Sequence, residues 1–262
     1  MTRSDTQEHK TSYERIYRDA GIHDEPAFYQ RIARLLHPSA GCRVLDVACG
    51  EGGLLRAVQQ RAASSEVCGV EISEQAARKA VAQSPTVRVV VGNAEQLPFA
   101  SSSFDRLACL GSLENFMDPL QALSEFRRLL KDDGLLCVMM PNKYWLGDIF
   151  QVAVGLDEQI PFQHVERMAT LRQWRRVLER SGFAVKRIRG YVKISPLMRG
   201  GKLRSLRKFL WTHCLALVCP PSLAWSIVFV CGKSLQPLDA SRHTVPWTWR
   251  AEWMEVNRKA SS

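Results

Sequence analysis

Short apolar runs alternate with helix-like stretches along most of this chain, and that alternation leaves few folds open to it. Runs at residues 42–48, 66–71, 86–91, 104–110 and 135–140 are short and rich in Val, Leu and Cys, as strands buried on both faces are. Amphipathic stretches separate several of them. One covers 52–61; another covers 73–82, where Ser73 is suited to cap the first turn; a third covers 119–130 and is closed by a turn at Lys131-Asp132-Asp133-Gly134. A helix at 170–180 ended by Ser181-Gly182, a sixth strand at 183–189 and a seventh at 225–231 complete the series. Such a pattern predicts an α/β protein with a doubly wound, mostly parallel seven-stranded sheet and helices on both faces. Residues 1–10 read as a frayed tail, followed by amphipathic stretches near 11–19 and 25–37.

Composition narrows the setting. The chain has 262 residues, 46% apolar and 24% charged, which is globular and excludes a disordered polymer. Its net charge of +10 is uneven: residues 1–150 carry 17 basic and 19 acidic side chains, residues 151–262 carry 19 and 7. No acid lies between Glu179 and Asp239, where eleven basic residues fall. That points either to an anionic partner on this side or to a solvated basic face. Eight cysteines, at 42, 49, 68, 109, 137, 214, 219 and 231, form neither a C-x-x-C pair nor a zinc-like set, so no metal is expected. Cysteines inside apolar runs fit a reducing, cytoplasmic setting, and the polar first 30 residues lack the apolar region of a secretory signal. Residues 209–231 carry no formal charge apart from His213 and are long enough to span a bilayer, but Pro220 and Pro221 interrupt a helix at their midpoint.

In a sheet of this kind ligands bind beyond the carboxyl ends of the strands. The first strand-to-helix turn reads Asp46-Val47-Ala48-Cys49-Gly50-Glu51-Gly52-Gly53. Its small residues let the backbone turn sharply and approach a ligand. By spacing alone it is ambiguous, because Ala48, Gly50 and Gly53 nearly fit a dinucleotide fingerprint. Glu71, at the end of the second strand, can hold the ribose hydroxyls of a dinucleotide or of an adenosyl cofactor. Charge favours the second: Asp46 and Glu51 would repel a pyrophosphate and attract a cation.

The later turns make the reading specific. They run Gly92-Asn93-Ala94-Glu95-Gln96-Leu97-Pro98-Phe99, Phe104-Asp105, Ser112-Leu113-Glu114-Asn115, Asp118-Pro119, Glu125-Phe126-Arg127-Arg128-Leu129-Leu130 and Gly134. This ordered series, over roughly residues 40–190, closely resembles the class I S-adenosylmethionine-dependent methyltransferases that act on small molecules, lipids and sugars. The resemblance implies a Rossmann-like fold and S-adenosyl-L-methionine as cofactor. It implies that Asp46, Ala48, Gly50 and Gly52 surround the methionine part, and that Glu71 binds both ribose hydroxyls. Asn93 and Ala94 would meet the adenine, and Leu110 and Gly111 would line the methionyl end. Three positions depart from the family pattern: Ala48 replaces the first glycine, Asn93 stands where Asp is commoner, and Asn115 stands where many relatives have His, so no acid–base role is carried over from that His.

Transfer from a sulfonium is an in-line displacement, in which the protein mainly supplies proximity, and a base only where the acceptor must lose a proton. Candidate bases are His164, Glu114 and Tyr144. His164 lies in Gln163-His164-Val165-Glu166-Arg167, similar to the corresponding segment of sugar and natural-product methyltransferases. A hydrogen-bonded structural His and a loop-supporting Glu are the alternatives. An N-P-P-Y tetrad is absent, which counts against exocyclic amine methylation of bases. The expected layout is an N-terminal helical segment at 1–40, a methyltransferase core at 41–190, a basic and apolar helical insertion over the acceptor site at 191–224, the last core strand at 225–235 and a tail at 236–262. The expected acceptor is a small molecule, a sugar or a lipid-linked group, anionic in character, with peripheral membrane association through 199–231. Nucleic acid is not expected, since no RNA-binding module accompanies the basic half. RNA methylation and a non-catalytic cofactor-binding scaffold are the competing readings.

Overall fold

A computed structural model of the protein describes residues 3–19, 26–145, 167–192 and 219–234. Helices α1 (Arg3–Asp19) and α2 (Pro26–Leu36) lead into alternating elements: β1 (Arg43–Val47), α3 (Gly53–Arg61), β2 (Glu66–Glu71), α4 (Glu74–Gln83), β3 (Arg88–Val91) and β4 (Phe104–Leu110). Then come α5 (Pro119–Leu129), β5 (Leu130–Pro141), α6 (Leu171–Arg180), β6 (Phe183–Tyr191) and β7 (Ser226–Lys233). The seven strands form one sheet in the order β3-β2-β1-β4-β5-β7-β6. Every pair is parallel except those of β7, which runs antiparallel to both β5 and β6. The doubly wound, mostly parallel α/β sheet expected from the alternation is therefore present.

Local chemistry explains the boundaries. The Ser73 hydroxyl accepts from Ala76 N at the start of α4. Asp118 accepts from Leu120 N and Gln121 N ahead of Pro119 in α5. Thr170 and Gln173 form a reciprocal capping box on α6. One apolar layer packs α5 and α6 on the sheet through Leu123, Phe126, Trp174 and Leu178. The other packs α2 and α3 through Phe28, Ile32, Leu54, Leu55 and Val58. Each fully buried Leu or Phe contributes about 1.5–3 kcal/mol. An exposed pair such as Arg78–Glu74 contributes under about 1 kcal/mol, so the apolar layers hold the helices on the sheet.

Two expectations are corrected. Residues 3–10 are not a frayed tail but the first turns of α1. Lys131–Gly134, expected as a turn between helix and strand, lies within β5: Phe104 faces Leu130 and Arg106 faces Leu135, so residues 131–134 bulge opposite Asp105. The break expected at Pro220-Pro221 agrees with the described part of 209–231, where 221–223 form a 3₁₀ turn and the run ends in β7, paired on both sides. Among the described residues no helix is long and apolar enough to cross a membrane. Most of the expected insertion at 191–224, and the tail, lie outside the described residues.

One side chain joins the carboxyl edge beyond β5. Asn142 is completely buried; its Nδ2 donates to Ser222 O (2.9 Å), Ala224 O (2.9 Å) and Tyr144 O (3.3 Å), and its Oδ1 accepts from Tyr144 N. The residue also bridges to Ala169, so three separate chain segments meet on it.

Candidate functional site

The site begins where β1 ends. Ala48, Gly50 and Gly52 all take positive φ, at 58°, 53° and 76°. Glycine is at home there; Ala48 is not, and its Cβ costs about 1–2 kcal/mol in that conformation. Cys49 N donates to Val70 O (3.1 Å) and Gly52 N to Cys49 O (3.0 Å), which fold the loop back toward β2. Gly50 is required for a second reason, since a Cβ there would stand 2.8 Å from the Tyr17 hydroxyl.

Glu71 closes this loop from the end of β2. It is 3% exposed, and its Oε2 accepts from Gly50 N (2.9 Å) while Oε1 accepts from Ser73 N (3.0 Å). Burial pushes its carboxyl above the usual range, although the backbone amides of Ser73, Gly50 and Ile72 oppose the shift. Asp46 is also buried; burial, and then the Glu71 charge, push it well above its ordinary value. Burial and Glu71 likewise raise the Tyr17 hydroxyl.

These groups line one cleft at the carboxyl edge of the sheet. Of the cofactor positions expected from the sequence, Asp46, Ala48, Gly50, Glu71, Asn93, Ala94, Leu110 and Gly111 all line it. Gly52 does not; it is the left-handed N-cap of α3, and Gly53 reaches the cleft instead. Asn93 shapes its own loop, with Oδ1 accepting from Glu95 N (3.0 Å).

The three candidate bases are not brought to the cleft together. Glu114 is 4% exposed, in the 3₁₀ turn Leu113–Asn115, and does not line the cleft. Tyr144 is 51% exposed and does not line it either. His164 lies outside the described residues.

Sequence reasoning missed the contribution of the N-terminal helices. Tyr13 and Tyr17 of α1 and Tyr29 of α2 line the cleft. Glu14 fastens α1 to the start of α4, accepting from Glu74 N (2.7 Å), Ser73 Oγ (3.1 Å) and Gln75 N (3.3 Å). Lys79 adds bonds to Tyr17 O (2.7 Å) and Glu51 Oε1 (3.0 Å). The available signal was the four-residue spacing of Tyr13 and Tyr17, which puts both on one helix face.

The cleft thus carries buried carboxylates, and Glu71 already takes up a loop amide that a pyrophosphate would need. It suits a ligand with a positive group and hydroxyls better than a dianion.

Residues 45–138 match the protein family described as a methyltransferase domain. Demethylmenaquinone methyltransferase of Staphylococcus aureus (strain MRSA252) is 30% identical over 128 residues, covering 47% of this chain and 53% of that protein. The chain therefore spans about half the length of the curated relatives it matches. Among solved structures, a methyltransferase of Thermotoga maritima aligns over 89% of this chain and 100% of its own, with a TM-score of 0.58 and 20% identity. Phosphoethanolamine N-methyltransferase 2 of Haemonchus contortus, in complex with S-adenosyl-L-methionine, aligns over 79% of this chain and 52% of its own, with a TM-score of 0.55 and 17% identity. At these identities the structural likeness is one of fold. Strand order, the turn after β1 and the matched segment agree with a methyltransferase domain over residues 45–138.

Proposed function

We propose that the protein transfers a methyl group from S-adenosyl-L-methionine to a small-molecule acceptor by in-line displacement. The observation that carries this reading is the pair of buried carboxylates, Asp46 and Glu71, facing one cleft at the end of β1 and β2. Both are held above their ordinary pKa by burial, a cost that a cationic ligand relieves. The cofactor supplies a methyl group already activated on a sulfonium. Glu71 has acceptor capacity left for ribose hydroxyls beside its two amide bonds, since a carboxylate offers about four acceptor sites. Asp46 would face the positive end, Asn93 and Ala94 the adenine, and Leu110 and Gly111 the methionyl end. Ala48 and Gly50 keep the loop low enough for close approach. Where the acceptor must lose a proton, His164 is the proposed base; Tyr144 and Glu114, which do not line the cleft, would serve only an acceptor that extends beyond it.

For the acceptor we keep the class implied by the sequence, a small molecule, a sugar or a lipid-linked group, and the relative's name supports the first and last of these. The acid-free span from Glu179 to Asp239 supports an anionic acceptor and contact with a membrane surface through 199–231, in a cytoplasmic setting. Cell extract incubated with the protein and isotopically labelled S-adenosylmethionine is expected to yield a labelled product by mass spectrometry. Cofactor binding without any product would favour the scaffold reading, and binding of NAD without an adenosyl ligand would overturn the assignment.

A further inference from the structure

One arginine grips a wall of the cleft from the chain preceding α6. Arg167 lies three residues before the N-cap Thr170. Its Nη1 donates to Glu114 O (3.0 Å) and Phe116 O, its Nη2 to Met117 O (3.2 Å), and its backbone N–H to Glu114 O (3.3 Å). All four donations fall on residues 114–117. Phe116 and Met117 line the cleft, as does Ser112 at the start of the same loop.

Glu95 holds that loop from the other side. Its Oε1 accepts from Asp118 N (3.0 Å), its carbonyl accepts from Gln121 Nε2 (3.4 Å), and it lines the cleft itself. The wall is therefore pinned between the loop after β3 and the chain entering α6. Burial draws the Arg167 guanidinium below its ordinary pKa, while Asp118, Glu95 and Glu114 favour the charged form.

We propose that Arg167 is a positioning residue, which sets the 112–117 wall of the cofactor cleft through a guanidinium fork on the carbonyls of Glu114, Phe116 and Met117. The proposal rests on the methyl-donor reading of the cleft. Charge alone does not account for the arrangement: the donors go to spread backbone carbonyls, which a planar fork reaches and a lysine ammonium, donating from one atom, does not.

The test uses R167A and R167K with S-adenosylhomocysteine as the probe. Calorimetry gives affinity, and hydrogen exchange gives protection of amides 112–118. In R167A the affinity is expected to fall about tenfold, with faster exchange concentrated at 112–118. R167K should behave almost as R167A does. Methylguanidine at millimolar concentration should restore R167A but not R167K. Wild-type affinity in folded R167A overturns the proposal, and so does full recovery in R167K, which would make charge sufficient. Exchange quickened evenly over the whole protein, without recovery by methylguanidine, reduces Arg167 to general stability and also overturns it. If R167A does not fold, R167K alone decides between fork and charge. Should the wild type not bind S-adenosylhomocysteine, the functional reading fails, while exchange at 112–118 still judges the brace.

Discussion

Replacing Glu71 separates its work on the loop from its work on a ligand. In Glu71→Ala the amides of Gly50 and Ser73 lose their acceptors, at 2.9 and 3.0 Å, in a place where Glu71 itself is 3% exposed. Hydrogen bonds to a charged group are worth about 1.5–3 kcal/mol each. Burial of the carboxylate offsets part of that, as its raised pKa shows. The expected loss is about 2–4 kcal/mol of folding stability. Glu71→Gln keeps one carbonyl oxygen for one of the two amides and removes the buried charge, so its loss should be about half as large. Both variants are expected to bind S-adenosylhomocysteine at least about tenfold more weakly, because neither presents a carboxylate to the ribose. Urea unfolding followed by circular dichroism gives the first quantity, calorimetry the second. A Glu71→Ala protein within about 1 kcal/mol of wild type would refute the loop-bracing argument. A Glu71→Gln protein with wild-type affinity would remove the carboxylate from the ligand site.

Protons should couple to cofactor binding. Asp46 and Glu71 are raised in the free protein, so a cationic ligand lowers them and releases protons, and S-adenosylmethionine affinity rises with pH through their raised values. By the same sign, ligand-free stability falls as pH climbs from the ordinary carboxylate range through those values. Calorimetric enthalpies that do not depend on the buffer at any pH above the ordinary carboxylate range would count against this coupling. Ala48→Gly should stabilise the fold by about 0.5–1 kcal/mol, the relief of a left-handed alanine less glycine's entropy, and unchanged urea stability would contradict it. Asn142→Ala strands the carbonyls of Ser222 and Ala224 and the Tyr144 amide, and a loss of about 2–4 kcal/mol is expected in the same assay; a loss under about 1 kcal/mol would show that water replaces the side chain. Changing Arg204, Arg207 and Lys208 to Glu should reduce sedimentation with anionic vesicles and leave S-adenosylhomocysteine affinity alone; equal sedimentation would make the basic span a solvated face.

The strands were legible because burial on both faces forces apolar runs, and the expected starts and ends lie within a few residues of those of β1 to β7. The turn after β1 was legible because sharp turns need small residues, and eight of the nine positions expected for the cofactor line one cleft. The Lys131–Gly134 segment misled because Asp-Asp-Gly is turn chemistry whether it ends a strand or bulges within one. The part played by α1 could not be read locally, because Glu14 gains its role only when the first turn of α4 is placed beside it. The bracing role of Glu71 was not legible, since a strand-end carboxylate gives no sign that two backbone amides converge on it. Arg167 was visible only as part of a family-like segment; its carbonyl partners lie about fifty residues away and are united with it by the sheet.

The place of β7 has a consequence for how the chain assembles as it is synthesised. β6 leaves the ribosome before β7, yet β7 lies between β5 and β6. Until residues 226–233 emerge, β6 has no partner strand and β5 keeps one edge open. The five strands from β3 to β5 can form their parallel pairs beforehand, whereas α6 and β6 must wait beside them. Two unpaired edges during that interval are a site for wrong pairing with other chains. β7, the last made of the described strands, then closes both at once, locking the outer part of the sheet in a single late step.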